Sequence, residues 1–192
     1  MVPYGQTTQF PGIKYVFLDR DGVTNRKLPE GQFIRSWRDF EFLHGVESAI
    51  AALNRSGRHI IVISNQRGIA LGLYTRADVE TLHRKLQEHL AEHDAHIDAF
   101  YYCPHDRNQC DCRKPKTGLF EQVFRDFPGA SAQNSIVIGD SISDIQAART
   151  LGLPAIFIQG DPKTQKLGAE KAAALADAVA SSLIEAVEKY LS

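Results

Sequence analysis

Runs of uninterrupted apolar residues recur along the chain at positions 14–18, 59–64, 99–103, 135–139 and 154–159. They do not alternate with polar residues, which predicts strands buried on both faces, as in a parallel sheet. Helical spacing fills the intervals. One helix is expected over 46–55, stopped by Gly57, and a long one from a Thr75/Asp78 cap to about residue 92. Others are expected from Thr117 to about 127 and over 144–151, stopped by Gly152. The segment 171–191 is Ala-rich and carries Leu175, Val179, Leu183, Val187 and Leu191 at i, i+4 spacing, which predicts a terminal helix packed on the chain's own core. The alternation implies an α/β fold: a doubly wound three-layer sandwich around a mostly parallel sheet, without a large cap domain. Ligands in such sheets bind beyond the carboxyl ends of the strands.

Polar clusters fall at those ends. Asp19-Arg20-Asp21-Gly22 follows the first strand, Ser64-Asn65 the second and Asp140 the fourth, with Asp144 four residues on. Arg113-Lys114-Pro115 sits between the third and fourth strands. Carboxylates gathered at one sheet edge repel and resist ionisation. A hard divalent cation such as Mg²⁺, with oxygen ligands and an anionic substrate, resolves the repulsion. Asp144 stays open between this site and a capping box with Ser141.

"CPHDRNQCDC" brings Cys103, His105, Cys110 and Cys112 within ten residues. Three thiolates and an imidazole supply the ligands of a closed tetrahedral Zn²⁺ site, read here as architecture that fixes the loop bearing Arg113 and Lys114.

The chain has 192 residues, 43% hydrophobic and 23% charged, with net charge -1, as expected for one domain spanning 1–192. The balanced charge argues against a nucleic-acid partner. No apolar run approaches the ~20 residues of a membrane span, and the first ten residues lack a leader's pattern. Three clustered cysteines do not make a disulfide framework. A cytoplasmic monomer is expected.

"FLDRDGV", "SNQ", "RKP" and "GDSISD" resemble, in order and spacing, the four motifs of the haloacid dehalogenase superfamily, over residues 14–158. The resemblance implies Asp19 as nucleophile, Asp21 as general acid and then base, Ser64 as a phosphoryl hydrogen-bond donor and Lys114 as the neutralising cation. It implies Mg²⁺ on Asp19, the Asp21 carbonyl and Asp140. With the Cys-His-Cys-Cys loop before "RKP", the chain is similar to the branch containing heptose-bisphosphate and histidinol-phosphate phosphatases. "NQRGIALG", "YYCPH" and "CDCRKP" look closest to the heptose enzymes. That implies a small phosphorylated sugar as substrate, cleaved at the 7-phosphate of D-glycero-D-manno-heptose 1,7-bisphosphate, with Arg113 as a substrate contact. Histidinol phosphate is the alternative substrate, and a non-catalytic binding protein the alternative class.

The chain departs from the heptose enzymes at Ser141, where a lysine often follows the aspartate, and its metal loop is short. Residues 24–42 can hold only a small flap, with Arg26, Lys27 and Arg35 available to a bisphosphate and Trp37 expected as a hydrophobic anchor. His83, His89, His93 and His96 are expected on a solvated helix face. Asn65, a candidate substrate-binding residue, and Gln66 are read as touching substrate or tying down their loop.

Overall fold

The computed structural model describes residues 9–165 and 167–192. Residues 1–8, most of the stretch without a leader pattern, lie outside them. The strands are β1 (Tyr15–Leu18), β2 (His59–Asn65), β3 (Ala99–Cys103), β4 (Ser135–Gly139), β5 (Ala155–Ile158) and β6 (Ala178–Ala180). All pair in parallel, in the order β3-β2-β1-β4-β5-β6. The helices are α1 (Val46–Arg55), α2 (Arg76–Ala91), α3 (Gly118–Asp126), α4 (Ile142–Leu151), α5 (Ala169–Leu175) and α6 (Leu183–Tyr190).

The pleat divides each apolar run between two cores. Val16 and Leu18 of β1 pack with α1, α2 and α6, while Tyr15 and Phe17 pack with α3, α4 and α5. Both faces are therefore covered, which is why these strands carry no polar alternation. Burying each such side chain contributes about 1.5–3 kcal/mol. The winding reverses between β1 and β4, so the carboxyl ends of these two central strands open a crevice.

The terminal segment departs from its expected single helix. Residues 171–191 contribute the end of α5, then β6, then α6. Leu175 and Val179 pack in the α3/α4 core, whereas Leu183, Val187 and Leu191 pack in the α1/α2 core. One helix would have put all five on one face; instead the chain crosses the sheet edge. Asp177 accepts a hydrogen bond from the Ala155 amide (2.8 Å), and Ser182 caps α6 by accepting from Glu185 N (3.3 Å).

His83 corrects a second expectation. It lies on the buried face of α2 with Val79, Leu82 and Leu86, and its ring stacks on Phe100 at 4.4 Å. Burial, helped by the Arg20 charge, pushes its pKa down to about 3. The imidazole is neutral in the fold, while the unfolded chain takes up a proton below about 6.5. Its stabilisation is thus complete above that pH and is lost progressively as pH falls toward the folded value. Between pH 7 and 5 the wild type is expected to lose about 2 kcal/mol that His83→Phe does not. Melting both proteins at each pH checks this, and parallel loss in the two would refute it.

Residues 26–41 form the flap. Its ends are pinned where Asn25 bridges Phe42 and Arg26 N donates to Glu41 O (2.8 Å). Trp37 stacks on Phe40 (5.3 Å) and packs against the α1/α2 core, the anchoring position expected for it.

Candidate active site

Asp19 continues β1 toward its neighbour: its amide donates to Ile138 O of β4 (3.0 Å). Asp140 ends β4, and the chain after β1 closes against it. Gly22 makes that approach feasible, because it holds φ +100° and any Cβ there would strike the Asp140 carboxylate. Asp19, Asp140 and Asp144 each present a carboxylate oxygen within 4.8 Å of the others.

Lys114 enters from the opposite side and is buried. Its Nζ lies 3.0 Å from Asp19 Oδ1 and 2.5 Å from Asp144 Oδ1, and it donates to Ile63 O at 2.5 Å. Burial favours the neutral amine, but Asp144 and Asp19 overrule it and hold the pKa well above that of an ordinary lysine. Asn65 grips the Lys114 backbone from both sides: its Oδ1 accepts from Lys114 N (3.0 Å) and its Nδ2 donates to Lys114 O (3.1 Å). Asn65 thus fixes the lysine while still lining the cavity. Asp144 makes two sets of contacts. It caps α4, accepting from Ser141 N (3.1 Å) and Ser141 Oγ (2.5 Å), and it pairs with Lys114.

The donors fit a cation. Asp140 Oδ1 is buried with no hydrogen-bond partner among the described residues. Burial pushes Asp140 up to about 6; Lys27 opposes the rise, and the Asp19 and Asp144 charges add to it. A divalent ion held by Asp19 and Asp140 would relieve this crowding.

Asp21 sits in a separate network. Arg20, itself buried, pairs with it at 2.9 Å; Asn25 Nδ2 donates at 3.0 Å and Gln66 Nε2 at 3.2 Å. Burial would raise Asp21, but the Arg20 charge and these donors hold it below the usual carboxylate range. Gln66 also donates to Ser64 Oγ (2.8 Å), and its Oε1 accepts from Tyr74 OH (2.8 Å). Of its two readings, Gln66 shows the tying role, and it coordinates Ser64 with Asp21. Arg20 and Tyr74 were not anticipated. An arginine between two aspartates was visible in the sequence; the partner of Tyr74 was not.

A cavity of about 730 Å³ opens over this cluster, lined by Asp21, the flap, Gln66, Arg113 and Lys114. Lys27, Arg67, Arg107 and Lys116 also line it, against Glu30 and Asp21 as the carboxylates. Of the three flap cations only Lys27 reaches it, paired with Asp140. Arg26 points outward to Glu41 (2.8 Å), and Arg35 is exposed away from the cavity. Arg113 Nη1 donates to His105 O (3.4 Å), so its position depends on the cysteine loop.

In that loop Cys103, His105, Cys110 and Cys112 converge. Cys112 Sγ is 3.1 Å from Cys103 and 3.3 Å from Cys110, and His105 Nδ1 is 3.3 Å from Cys112 Sγ. The cysteines are not disulfide-bonded. Burial and the two neighbouring thiols push Cys112 far above an ordinary thiol. Three sulfurs and one nitrogen in this arrangement suit a four-coordinate soft or borderline ion.

Fold and site together define a haloacid dehalogenase-like phosphatase, a hydrolase of phosphoric monoesters. The chain belongs to the family described as "Polynucleotide kinase 3 phosphatase", which matches residues 15–167. It is 40% identical over 171 residues to the D-glycero-alpha-D-manno-heptose-1,7-bisphosphate 7-phosphatase of Mycobacterium bovis, covering 88% of this chain and 87% of that one. It is 36% identical over 184 residues to the D-glycero-beta-D-manno-heptose-1,7-bisphosphate 7-phosphatase of Vibrio cholerae, covering 92% and 95%. The crystal structure of the D,D-heptose 1,7-bisphosphate phosphatase of B. bronchiseptica, complexed with magnesium and phosphate, aligns with a TM-score of 0.80 at 29% identity, covering 92% and 97%. No helix among the described residues is long and apolar enough to cross a membrane.

Proposed function

We propose that the chain hydrolyses the 7-phosphate of D-glycero-D-manno-heptose 1,7-bisphosphate through an aspartyl-phosphate. The observation that carries this reading is the Asp19–Lys114–Asp144 cluster beside Asp140, whose Lys114, with Asp21, lines a cavity with a marked excess of cations. Asp19 attacks phosphorus, and the ester bond to the sugar oxygen breaks. Asp21 gives that oxygen a proton. The arriving phosphate's negative charge raises the Asp21 pKa toward the protonated form, against the pull of Arg20. Asp21 then takes a proton from water as the water attacks phosphorus, freeing phosphate and regenerating Asp19. Ser64 and Lys114 hold the phosphoryl oxygens and their charge. Mg²⁺, held by Asp19, the Asp21 carbonyl and Asp140, would neutralise phosphoryl charge when bound. We read the cysteine loop as a structural Zn²⁺ site that presents Arg113, and Arg113 with Asn65 as contacts to substrate.

The charge balance of the cavity supports the bisphosphate over the alternative. Histidinol phosphate carries one phosphate and a cationic amine, which wants a carboxylate partner. Among the described residues, Arg107 and Arg113 pair with no carboxylate, which suits a second phosphate. Six cations line one concave pocket, and the chain as a whole carries a net charge of -1, which favours a small molecule over a polynucleotide. The test is phosphate release from both heptose bisphosphate anomers and from histidinol phosphate, with Mg²⁺ and with EDTA. Mg²⁺-dependent preference for one heptose anomer is expected. Preference for histidinol phosphate would overturn the substrate and keep the chemistry.

A further inference from the structure

Glu47 stands in the first turn of α1, His89 in the last turn of α2, and His93 one turn further on. His89 Nε2 and Glu47 Oε1 are 3.2 Å apart, and the two imidazole centroids are 4.8 Å apart. One ligand atom from each of the three side chains lies within 4.8 Å of the other two. None belongs to the phosphatase cluster or the cysteine loop. The expected solvated face describes His93 and His96, which are exposed, but not His89, whose side chain is only 30% exposed beside Glu47 at 24%.

We propose that Glu47, His89 and His93 form a second transition-metal site joining α1 to α2. His93 lies in the turn that closes α2, where its amide donates to Leu90 O (2.9 Å), and this turn keeps its imidazole beside that of His89. The carboxylate comes from a different helix, so the site is not a local accident of one segment. The hydrogen bond between His89 and Glu47 shows the donor atoms already converging, with a proton where an ion would sit. The His89 ring is held flat against Phe42 at 4.4 Å and 25°. This orientation lowers the ordering cost of binding. Two nitrogens and one oxygen suit a borderline ion such as Zn²⁺, Ni²⁺ or Co²⁺ and disfavour Mg²⁺, which prefers oxygen. His93 is exposed, so the remaining coordination positions face water. Phe42 in turn bridges Asn25, whose amide donates to Asp21 (3.0 Å). The site therefore braces the foot of the flap.

The test uses untagged protein with its thiol-bound metal retained and Mg²⁺ in excess, titrated with Ni²⁺ and followed by calorimetry and thermal melting. One further equivalent of Ni²⁺ is expected, with a rise in melting temperature. His93→Gln should weaken that equivalent by at least about tenfold, or 1.4 kcal/mol, and abolish the rise. Because His93 is exposed, the variant should melt with wild type when no Ni²⁺ is added. Glu47→Gln should weaken binding in the same direction. Absence of the extra equivalent, or its retention in His93→Gln, overturns the proposal. Neither result depends on which substrate the phosphatase cleaves.

Discussion

Replacing Asp19 by Asn is expected to lower kcat on the order of 10⁴-fold or more, since loss of a nucleophile removes the covalent route entirely. The fold should be nearly unaffected. Asn keeps an oxygen to accept from Arg20 N (2.8 Å), and Lys114 keeps Asp144 as its ion-pair partner at 2.5 Å. The melting temperature and thiol-bound metal content should match wild type. Phosphate release measured beside both controls checks the assignment. Residual activity within tenfold of wild type would place the nucleophile elsewhere.

Replacing Cys112 by Ser is expected to act on stability and rate together. Cys112 lies centrally in its cluster, near Cys103, Cys110 and His105 at 3.1, 3.3 and 3.3 Å. Metal content should fall from one Zn²⁺ per chain toward none. Losing a structural metal belongs among the most destabilising changes, about 4 kcal/mol or more, or roughly 8–16 °C for a chain of this size. Turnover should drop as well, because Arg113 leans on His105 O and Lys114 follows directly. Elemental analysis of protein purified without chelator, with melting curves, decides the matter. Wild-type protein without stoichiometric Zn²⁺, or a variant that melts unchanged, would refute it.

The sheet and its winding were legible because β1, β2, β4 and β5 are buried on both faces and show it as apolar runs. The sixth strand was not. Ala178, Val179 and Ala180 are too small and too few to stand out from an Ala-rich helical pattern, and their pairing with β5 is a tertiary fact. A signal was present in Ser182 and Glu185, which mark a helix start inside the supposed helix. His83 was similarly marked by its spacing from Val79 and Leu86. The carboxylate cluster could be anticipated because strand ends of a doubly wound sheet meet. What was not legible was the aim of long side chains. Lys27 reaches Asp140 across 113 positions, while Arg26 beside it turns to Glu41. The twofold use of Asp144, as cap and as counter-ion, also emerges only when Lys114 is in place.

The crevice between β1 and β4 divides the molecule's tolerance for change. Asp19 and Asp140 hang from interior strands whose neighbours leave little slack, so the proposed chemistry would tolerate little change there. Much of the cavity wall comes instead from the flap and from the tip of the cysteine loop, segments outside the sheet. A mutational library confined to positions 28–34 and 107–109 could therefore explore new phosphorylated substrates without touching the engine beneath. Within one inherited scaffold, selectivity can diverge while reactivity stays put.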